Sequence, residues 1–340
     1  MIKIVQYGVG PIGAELAKYS LKKTGLSFVG AIDIDPKKIG MDLGEAVGGE
    51  RIGVSITNES KKLLAKTKPN LILHSTGSYL KDVKPQLLEI MKSGADIIST
   101  CEELSYPYLK NPKIAKELDT AARKHNVTLL GTGINPGFLM DTLVLTATGV
   151  CQDVKKIKCS RIQDASYRRL PFQKKIGAGL TVEEFRSKVA DGTIKHVGFQ
   201  ESIAMIASTL GWKLDRIDET IEPKLAEKTV SSEFLTVEAG QVAGVDQTAT
   251  GIVGGESLIV LNLQAYLGCP DPKEWTVIDG VPRIDLTIKN GVHGDLATAA
   301  VVVNCIPRVL NAKPGLMTMK DLPVPAGWFA PIDNFVKKKP

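Results

Sequence analysis

The 340 residues are 43% hydrophobic and 24% charged, which is typical of a soluble globular chain of about two domains. The formal charge of +6 is modest, and no alternation of basic and aromatic residues of the kind used to bind single strands is seen, so nucleic acid is not expected as a partner. We attribute the clearest cluster of lysines, Lys337 to Lys339, to a solvated tail, and mild basicity suits a small anionic ligand.

The first 133 residues alternate strand-like and helix-like segments. Apolar residues at helical spacing predict helices such as PIGAELAKYSLKKTG and PKIAKELDTAARKHN. Short apolar runs predict strands at IKIVQYG, SFVGAIDID, NLILHSTGS, ADIIST and VTLLGTG. This alternation predicts an α/β fold, with a doubly wound parallel sheet of the Rossmann type in a domain of residues 1–133.

Beyond Gly133 the pattern changes to that of an α+β domain, which we assign to residues 134–290. DVKKIKCSRIQDAS predicts a strand, and TVEEFRSKVADG begins with a capping box and predicts a helix. From Glu233 to Leu267 the texture predicts strands of a mostly antiparallel or mixed sheet. Residues 291–340 are expected to return toward the first domain through an apolar helix that Pro307 kinks or ends.

Gly8, Gly10 and Gly13 form a GxGxxG pattern between a predicted strand and a predicted helix. In that context the pattern is typical of dinucleotide binding: the glycines allow a tight turn, and the helix N-terminus accepts the pyrophosphate. We expect a nicotinamide dinucleotide to contact these glycines together with Pro11 and Ile12, which lie between them.

Asp33 follows Gly13 by 20 residues, the position from which a carboxylate reaches the adenosine ribose. A carboxylate there repels a 2′-phosphate and favours NAD. Lys37 and Lys38 follow closely and could reach such a phosphate, or could simply be exposed in a first helical turn. NAD is therefore favoured, NADP stays open, and Lys37 is included among the cofactor-binding candidates.

Two further strand ends carry cofactor-binding candidates. Ser75, Thr76 and Gly77 follow a predicted strand and are expected to border the nicotinamide half of the cofactor, whereas His74 is better explained as a hydrogen-bonded core histidine. Asn135 ends the last Rossmann strand and could donate to a carboxamide. Thr298, in the first turn of the C-terminal helix, could face the cofactor.

Glu102 and Glu103 follow the strand ADIIST side by side. Many two-domain Rossmann dehydrogenases that oxidise alcohols carry a lysine at this kind of strand end, whereas this chain carries Glu103. A carboxylate suits a cationic reacting centre such as the iminium ion of amine oxidation, and it can accept the proton of the substrate ammonium. We favour Glu103 as the catalytic residue, with Glu102 as the second candidate. The alternative is a structural role, in which the carboxylate interacts with a helix dipole.

Substrate-binding candidates are scattered through the rest of the chain. Phe138 follows a Pro-Gly turn and could form a pocket wall or a plain hinge. Tyr167 and Arg169 belong to a basic, loop-like segment that could bind a substrate carboxylate, and His293 precedes the C-terminal helix in a glycine-flanked loop.

The five cysteines are odd in number and form no CxxC pair, so we expect neither a disulfide framework nor a metal site. The chain opens directly on a strand without a signal peptide, and its longest apolar run is too short to cross a bilayer. We expect a reduced, cytoplasmic protein without a membrane partner.

Taken together, GVGPIG, STCEELSYP, GTGINPGFLMD, PFQKKIGAGLT and NGVHGD resemble the 2,4-diaminopentanoate dehydrogenase family over nearly the whole chain. That family groups with native amine dehydrogenases and is distantly similar to dihydrodipicolinate reductases, whose His-His and Lys-x-x-x-Ser-Gly-Thr substrate motifs are missing here. The resemblance implies NAD(P)-dependent oxidative deamination of 2,4-diaminopentanoate in ornithine degradation, with ammonia as a product or co-substrate. It also implies a homodimer and a catalytic glutamate in the CEEL segment.

Two other hypotheses stay open at this point. One is an alcohol or imine reductase of the same fold, in which Glu102 and Glu103 are structural. The other is a dinucleotide sensor without catalytic activity, since fold alone does not determine function.

Overall fold

Seven parallel strands form the first sheet of the computed structural model, which describes residues 1–337 and so leaves Lys338 and Lys339 of the terminal lysine cluster outside the described residues. In chain order the strands are β1 (Ile2–Tyr7), β2 (Leu26–Ile32), β3 (Ile56–Thr57), β4 (Leu71–His74), β5 (Asp96–Ser99), β6 (Thr128–Gly131) and β15 (Gly315–Met317). Their order across the sheet is β15-β6-β5-β4-β1-β2-β3. The winding reverses between β1 and β4, and open α/β sheets bind ligands beyond the strand ends at such a point.

The helices of this region alternate with most strands of the sheet along the chain. They are α1 (Pro11–Leu21), α2 (Leu43–Ala46), α3 (Ser60–Thr67), α4 (Leu80–Met91) and α5 (Pro112–Lys124), followed near the C-terminus by α10 (Gly294–Asn304) and α11 (Ile306–Leu310). In α4, Val83, Leu87 and Ile90 recur at helical spacing and share one buried cluster with Ile72 and Ile97 of the strands. Helix α10 ends at Asn304 and α11 carries Pro307 in its first turn, so the predicted break is confirmed.

The chain divides by packing into two compact units. The first contains residues 1–138 and the chain from His293 onward, and the second contains Leu139–Val292. Whether the units fold independently, as the predicted domains would, stays a prediction.

The second unit is built on a six-stranded mixed sheet. Its strands are β7 (Asp153–Asp164), β8 (Arg216–Leu225), β11 (Val242–Val253), β12 (Glu256–Tyr266), β13 (Lys273–Val281) and β14 (Ile284–Lys289), in the order β14-β13-β7-β12-β11-β8. All pairs are antiparallel except β7 with β12. Strands β9 (Val230–Ser231) and β10 (Thr236–Val237) pair with each other in a separate two-stranded ribbon.

Four helices complete the second unit: α6 (Thr142–Thr148), α7 (Leu170–Lys175), α8 (Val182–Ala190) and α9 (Phe199–Leu210). The capping box predicted for α8 is present, with Thr181 and Glu184 bonded reciprocally. Phe185 of α8 is buried in a cluster with Val245 and Ala265 of the sheet. The predicted fold class, a Rossmann sheet followed by an α+β region with a mixed sheet, is confirmed.

Strands β3, β8, β9, β13 and β15 are not among the predicted ones. Strand β8 is an edge strand whose residues alternate between partial and full exposure, and its charged residues and Pro223 conceal the two-residue period. None of the helices within residues 1–337 is both long and apolar enough to cross a lipid bilayer.

Candidate active site

The loop after β1 is a tight turn that depends on its glycines. Gly8 has a φ of +90°, and a Cβ there would lie 2.5 Å from the carbonyl oxygen of Ser75. A Cβ on Gly13 would lie 1.9 Å from the carbonyl oxygen of Gly8. Gly10 differs, because a Cβ there would meet no atom of the described residues within 4 Å. Gly10 is the N-cap of α1 and offers no side chain, so the N–H groups of the first turn are able to bind an anion.

The acid at the end of β2 is bonded to this turn. Asp33 accepts hydrogen bonds from the N–H groups of Val9 at 2.7 Å and Asp35 at 2.8 Å. Lys38 Nζ lies 3.7 Å from Asp33 Oδ2 and donates to the Val9 carbonyl at 3.0 Å. Lys37 is exposed, and its backbone N–H donates to Asp35. The structure thus brings the side chain of Lys38, and not that of Lys37, to the turn.

Strand β4 ends in a buried histidine whose ring is fully hydrogen-bonded. His74 Nδ1 lies 2.9 Å from Ser99 Oγ, and Nε2 lies 2.8 Å from Gln86 Oε1. Burial lowers the pKa of His74 to about 4, so the ring is neutral at pH 7 and has the core role expected for it. The next residue, Ser75, donates its hydroxyl to the Gly8 carbonyl at 3.0 Å and fixes the loop after β4 against the glycine turn.

Glu103 is directed into the interior and caps a helix. Its Oε2 accepts from the N–H of Leu80, the first residue of α4, at 2.8 Å. Its Oε1 accepts from Lys110 Nζ at 3.0 Å, and Asn111 donates to Oε2 at 3.4 Å. The Glu103 N–H also donates to the Ser78 carbonyl at 3.2 Å. This carboxylate compensates the orphan N–H groups and positive end of α4, which is the alternative foreseen for one of the two acids.

A cleft of about 350 Å³ lies where the loops after β1, β4, β5 and β6 converge. It is lined by Gly10, Pro11, Ile12, Ser75, Thr76, Gly77, Ser78, Thr100, Glu102, Gly133, Ile134, Asn135, Pro136 and Thr298. Among the described residues that line it, Glu102 alone has an ionisable side chain. Glu102 belongs to a 3-10 turn, Glu102–Leu104, that follows β5. Glu102, and not Glu103, therefore lines the cleft, and which of the two acids is catalytic stays a prediction.

The loop after β6 and the start of α10 close one side of the cleft. Ile134 N–H lies 3.4 Å from Thr298 Oγ1, which links the two segments. Asn135 and Thr298 both line the cleft, and their binding roles stay predictions. Phe138 is half-buried and His293 is exposed, and neither is among the described residues that line the cleft, so their substrate-binding roles also stay predictions.

Tyr167 and Arg169 lie in the second unit. Tyr167 is 85% exposed at the end of a 3-10 turn, and Arg169 is the N-cap of α7. Their proposed contact with a substrate carboxylate stays a prediction.

The family model of the 2,4-diaminopentanoate dehydrogenase C-terminal domain matches residues 138–338. A 2,4-diaminopentanoate dehydrogenase from Acetoanaerobium sticklandii is 35% identical over 95% of this chain and 94% of its own. The chain belongs to the 2,4-diaminopentanoate dehydrogenase family. It is therefore an oxidoreductase, and the resemblance inferred from its motifs is confirmed.

Members of the amine dehydrogenase group are more distant relatives of this family member. An amine dehydrogenase from Streptomyces virginiae is 26% identical over 95% of this chain and 97% of its own. The solved structure of an amine dehydrogenase from Mycobacterium smegmatis superimposes with a TM-score of 0.84 at 25% identity, covering 96% of this chain and 97% of the other. The architecture is thus shared over 96% of the chain.

Several residues at the cleft of this family member are missing from the sequence-based prediction. They are Ser78, Thr100, Gly133, Ile134 and Pro136. Each lies within two residues of a predicted site residue at a strand end, so the signal was position along the chain and not residue type. Lys38 is the other addition, and only the turn geometry distinguishes it from Lys37.

A larger hollow of about 740 Å³ lies between α3 and α4, away from the strand ends. Lys61, Lys68 and Lys92 stand among apolar residues such as Leu64 and Leu88 in its lining. We place the chemistry in the smaller cleft because only that cleft adjoins the glycine turn and Glu102. Within residues 1–337, no group of three or more His, Cys, Asp or Glu side chains is arranged to hold a metal ion.

Proposed function

We propose that this chain catalyses the NAD(P)-dependent oxidative deamination of a small primary amine, with 2,4-diaminopentanoate as the proposed substrate. The products are the ketone and ammonia, and the reverse reaction is reductive amination. The observation that carries the proposal is the position of Glu102 as the one ionisable side chain of the described cleft lining, beside the glycine turn. The names of the relatives from Acetoanaerobium and Streptomyces support the same chemistry.

The glycine turn fits the dinucleotide. Gly10 leaves open space at the N-terminus of α1, where the pyrophosphate would accept hydrogen bonds from backbone N–H groups. Asp33 adjoins this turn, and its carboxylate would accept hydrogen bonds from the adenosine ribose. Thr76, Asn135 and Thr298 would contact the nicotinamide half. When bound, the nicotinamide ring supplies the hydride acceptor.

Glu102 would serve the substrate in two ways. An ammonium has no lone pair with which to expel hydride, so Glu102 first accepts the substrate's proton and releases it to water. The regenerated carboxylate then stabilises the iminium cation that remains when hydride has left the carbon that bears the nitrogen.

Hydrolysis of the iminium would use the same carboxylate. Glu102 takes a proton from the attacking water as the C–O bond forms, and returns it to the nitrogen of the carbinolamine. Loss of ammonia then breaks the C–N bond, and Glu102 accepts the hydroxyl proton as the C=O bond forms. The sum converts ammonium substrate, water and NAD(P)⁺ into ketone, ammonium, NAD(P)H and one proton.

The decisive assay follows reduced cofactor in both directions. Purified full-length chain with 2,4-diaminopentanoate and NAD⁺ or NADP⁺ should form NAD(P)H, and the ketone should oxidise NAD(P)H only when ammonia is present. Equal reduction of the ketone without ammonia would overturn the amine proposal in favour of a carbonyl reductase. Cofactor binding without turnover on an amine and carbonyl panel would favour the sensor hypothesis.

Further elements of the proposal rest on the sequence, either on its residue patterns or on the resemblance of its motifs. Phe138, Tyr167, Arg169 and His293 are proposed to contact the substrate. A homodimer, a cytoplasmic location and a role in ornithine degradation are likewise proposed, and each needs its own measurement.

A further inference from the structure

Lys38 crosses the end of β2 and reaches the glycine turn. Its Nζ donates to the Val9 carbonyl at 3.0 Å and lies 3.7 Å from Asp33 Oδ2 and 3.6 Å from Asp35 Oδ2. These partners hold the ammonium in place. The side chain is 30% exposed, so the ammonium remains open to solvent.

The ammonium of Lys38 has hydrogen-bonding capacity to spare. It carries three N–H donors. One is used by Val9, and the two carboxylates are ion-pair partners that lie beyond 3.5 Å. Within residues 1–337 the structure gives the other two donors no acceptor at hydrogen-bond distance. A phosphate beside Asp33 would supply such acceptors.

Asp33 is also not a lone carboxylate. Each of its oxygens accepts a backbone N–H, from Val9 and from Asp35, and Lys38 offsets part of its charge. A carboxylate in this state can still accept a bond from a ribose hydroxyl, because each oxygen has a second lone pair. Its repulsion of a 2′-phosphate is weakened by the cation beside it.

We propose that Lys38 is the residue that determines how this chain discriminates NADP from NAD, by pairing with the 2′-phosphate while Asp33 accepts from the ribose hydroxyl groups. The inference rests on the proposed function, since it assumes that a dinucleotide binds at the glycine turn. It assigns the two cofactors to two neighbouring groups of opposite charge.

Lys37 offers a matched control for this proposal. It carries the same charge one residue earlier, but its side chain is exposed and only its backbone N–H bonds to Asp35. A general attraction between positive charge and the extra phosphate would be lost equally in Lys37→Met and Lys38→Met. A specific contact would be lost only in Lys38→Met.

The test is calorimetric titration of the full chain with NADH and with NADPH, for wild type, Lys37→Met, Lys38→Met and Lys38→Arg. We expect Lys38→Met to weaken the binding of NADPH by at least about tenfold, which is the range of a hydrogen bond to a charged group. The affinity for NADH should change little. Lys37→Met should change the ratio of the two dissociation constants far less. Lys38→Arg should retain most of the wild-type affinity for NADPH.

Each other outcome has a distinct meaning. If Lys38→Met weakens both nucleotides equally, Lys38 only braces the glycine turn and the inference is wrong. Equal effects of Lys37→Met and Lys38→Met would also overturn it, because they would indicate bulk charge. If wild type binds neither nucleotide, the proposed function itself fails, whatever the variants do.

Discussion

The strand-end motifs of the first unit contain two kinds of residue. Some residues line the cleft, and their neighbours in the same motif point into the interior. Glu102 lines the cleft, whereas Glu103 caps α4 and pairs with Lys110. Gly10 adjoins open space, whereas Gly13 packs against the Gly8 carbonyl. The cleft-facing members border the space in which ligands would bind, and the inward members hold the loops that present them. Substitutions of the two kinds should therefore separate activity from stability.

The largest effect should come from Glu102→Gln. The amide keeps the shape of the side chain but neither accepts the proton of the ammonium nor carries the charge that stabilises the iminium. Loss of a positioned general base typically costs about 10²- to 10⁴-fold in rate. We expect a loss of that size in kcat, measured by steady-state NAD(P)H formation, with nearly unchanged cofactor affinity and melting temperature.

Glu103→Gln is the control that breaks or supports this contrast. Its kcat should fall far less than that of Glu102→Gln. If Glu103→Gln proved to be the inactive variant while still folded, the assignment of Glu102 as the reacting acid would be wrong. Near-full activity of both variants would remove the physical reason for preferring amines to alcohols.

The two glycines should separate binding from folding in the same way. Gly10→Ala introduces a methyl group into open space at a φ of −69°, which alanine adopts readily, so stability should change by no more than about 1 kcal/mol. The methyl group would occupy the approach of the pyrophosphate, and we expect dinucleotide binding to weaken by at least about tenfold in calorimetric titration.

Gly13→Ala should behave oppositely. Its Cβ would lie 1.9 Å from the Gly8 carbonyl oxygen, so the turn and α1 must move apart, at a cost of about 3 kcal/mol or more in unfolding free energy. Denaturant unfolding of both variants measures this. Equal stabilities of Gly10→Ala and Gly13→Ala would contradict the described packing of the turn.

The interaction of Glu103 with Lys110 should contribute a smaller, purely structural effect. Glu103→Gln retains an oxygen that accepts from Leu80 but loses the ion pair and the charge at the start of α4, so we expect a loss of roughly 1 kcal/mol. A third of the Lys110 side chain is exposed, so solvent weakens the pair. A double-mutant cycle with Lys110→Met, followed by denaturant unfolding, should give a positive coupling energy, and additive effects would show that the pair contributes nothing.

The contrast also explains which parts of the site the sequence could predict. The glycine turn and the sheet were predictable because strand, glycines and helix are contiguous in the chain and obey local rules. The choice between Glu102 and Glu103 was not, because the chain leaves β5 in a 3-10 turn, where the two-residue alternation of a strand no longer holds. Glu103 is defined by its partners Leu80 and Lys110, of which Leu80 is 23 residues away.

The same limit applies to the lysines after β2. Lys37 and Lys38 are equivalent in charge and position as sequence. Only the turn that starts at Asp35, whose carbonyl accepts from the Lys38 N–H at 2.9 Å, directs one of them to the glycine loop. A contact between distant segments, such as that of the loop residue Ile134 with Thr298 of α10, lies beyond any local pattern in the same way.

The last predicted effect concerns His74, an inward member of the β4 motif, and depends on acid pH. Burial lowers its pKa to about 4, whereas an unfolded histidine titrates near 6.5. Between these values the unfolded chain binds a proton that the folded chain excludes, so stability is complete above about pH 6.5 and falls as the pH decreases toward 4. At pH 5 the loss from this residue should be about 2 kcal/mol relative to pH 7.

His74→Gln removes the titrating ring, so it should be destabilised at pH 7 by lost hydrogen bonds but should lose less stability on going to pH 5 than wild type does. Urea unfolding of both proteins at pH 7 and pH 5 measures the difference. A gap between wild type and variant that stays constant with pH would show that His74 is not held neutral by burial, and the division between cleft-facing and inward residues would fail at β4.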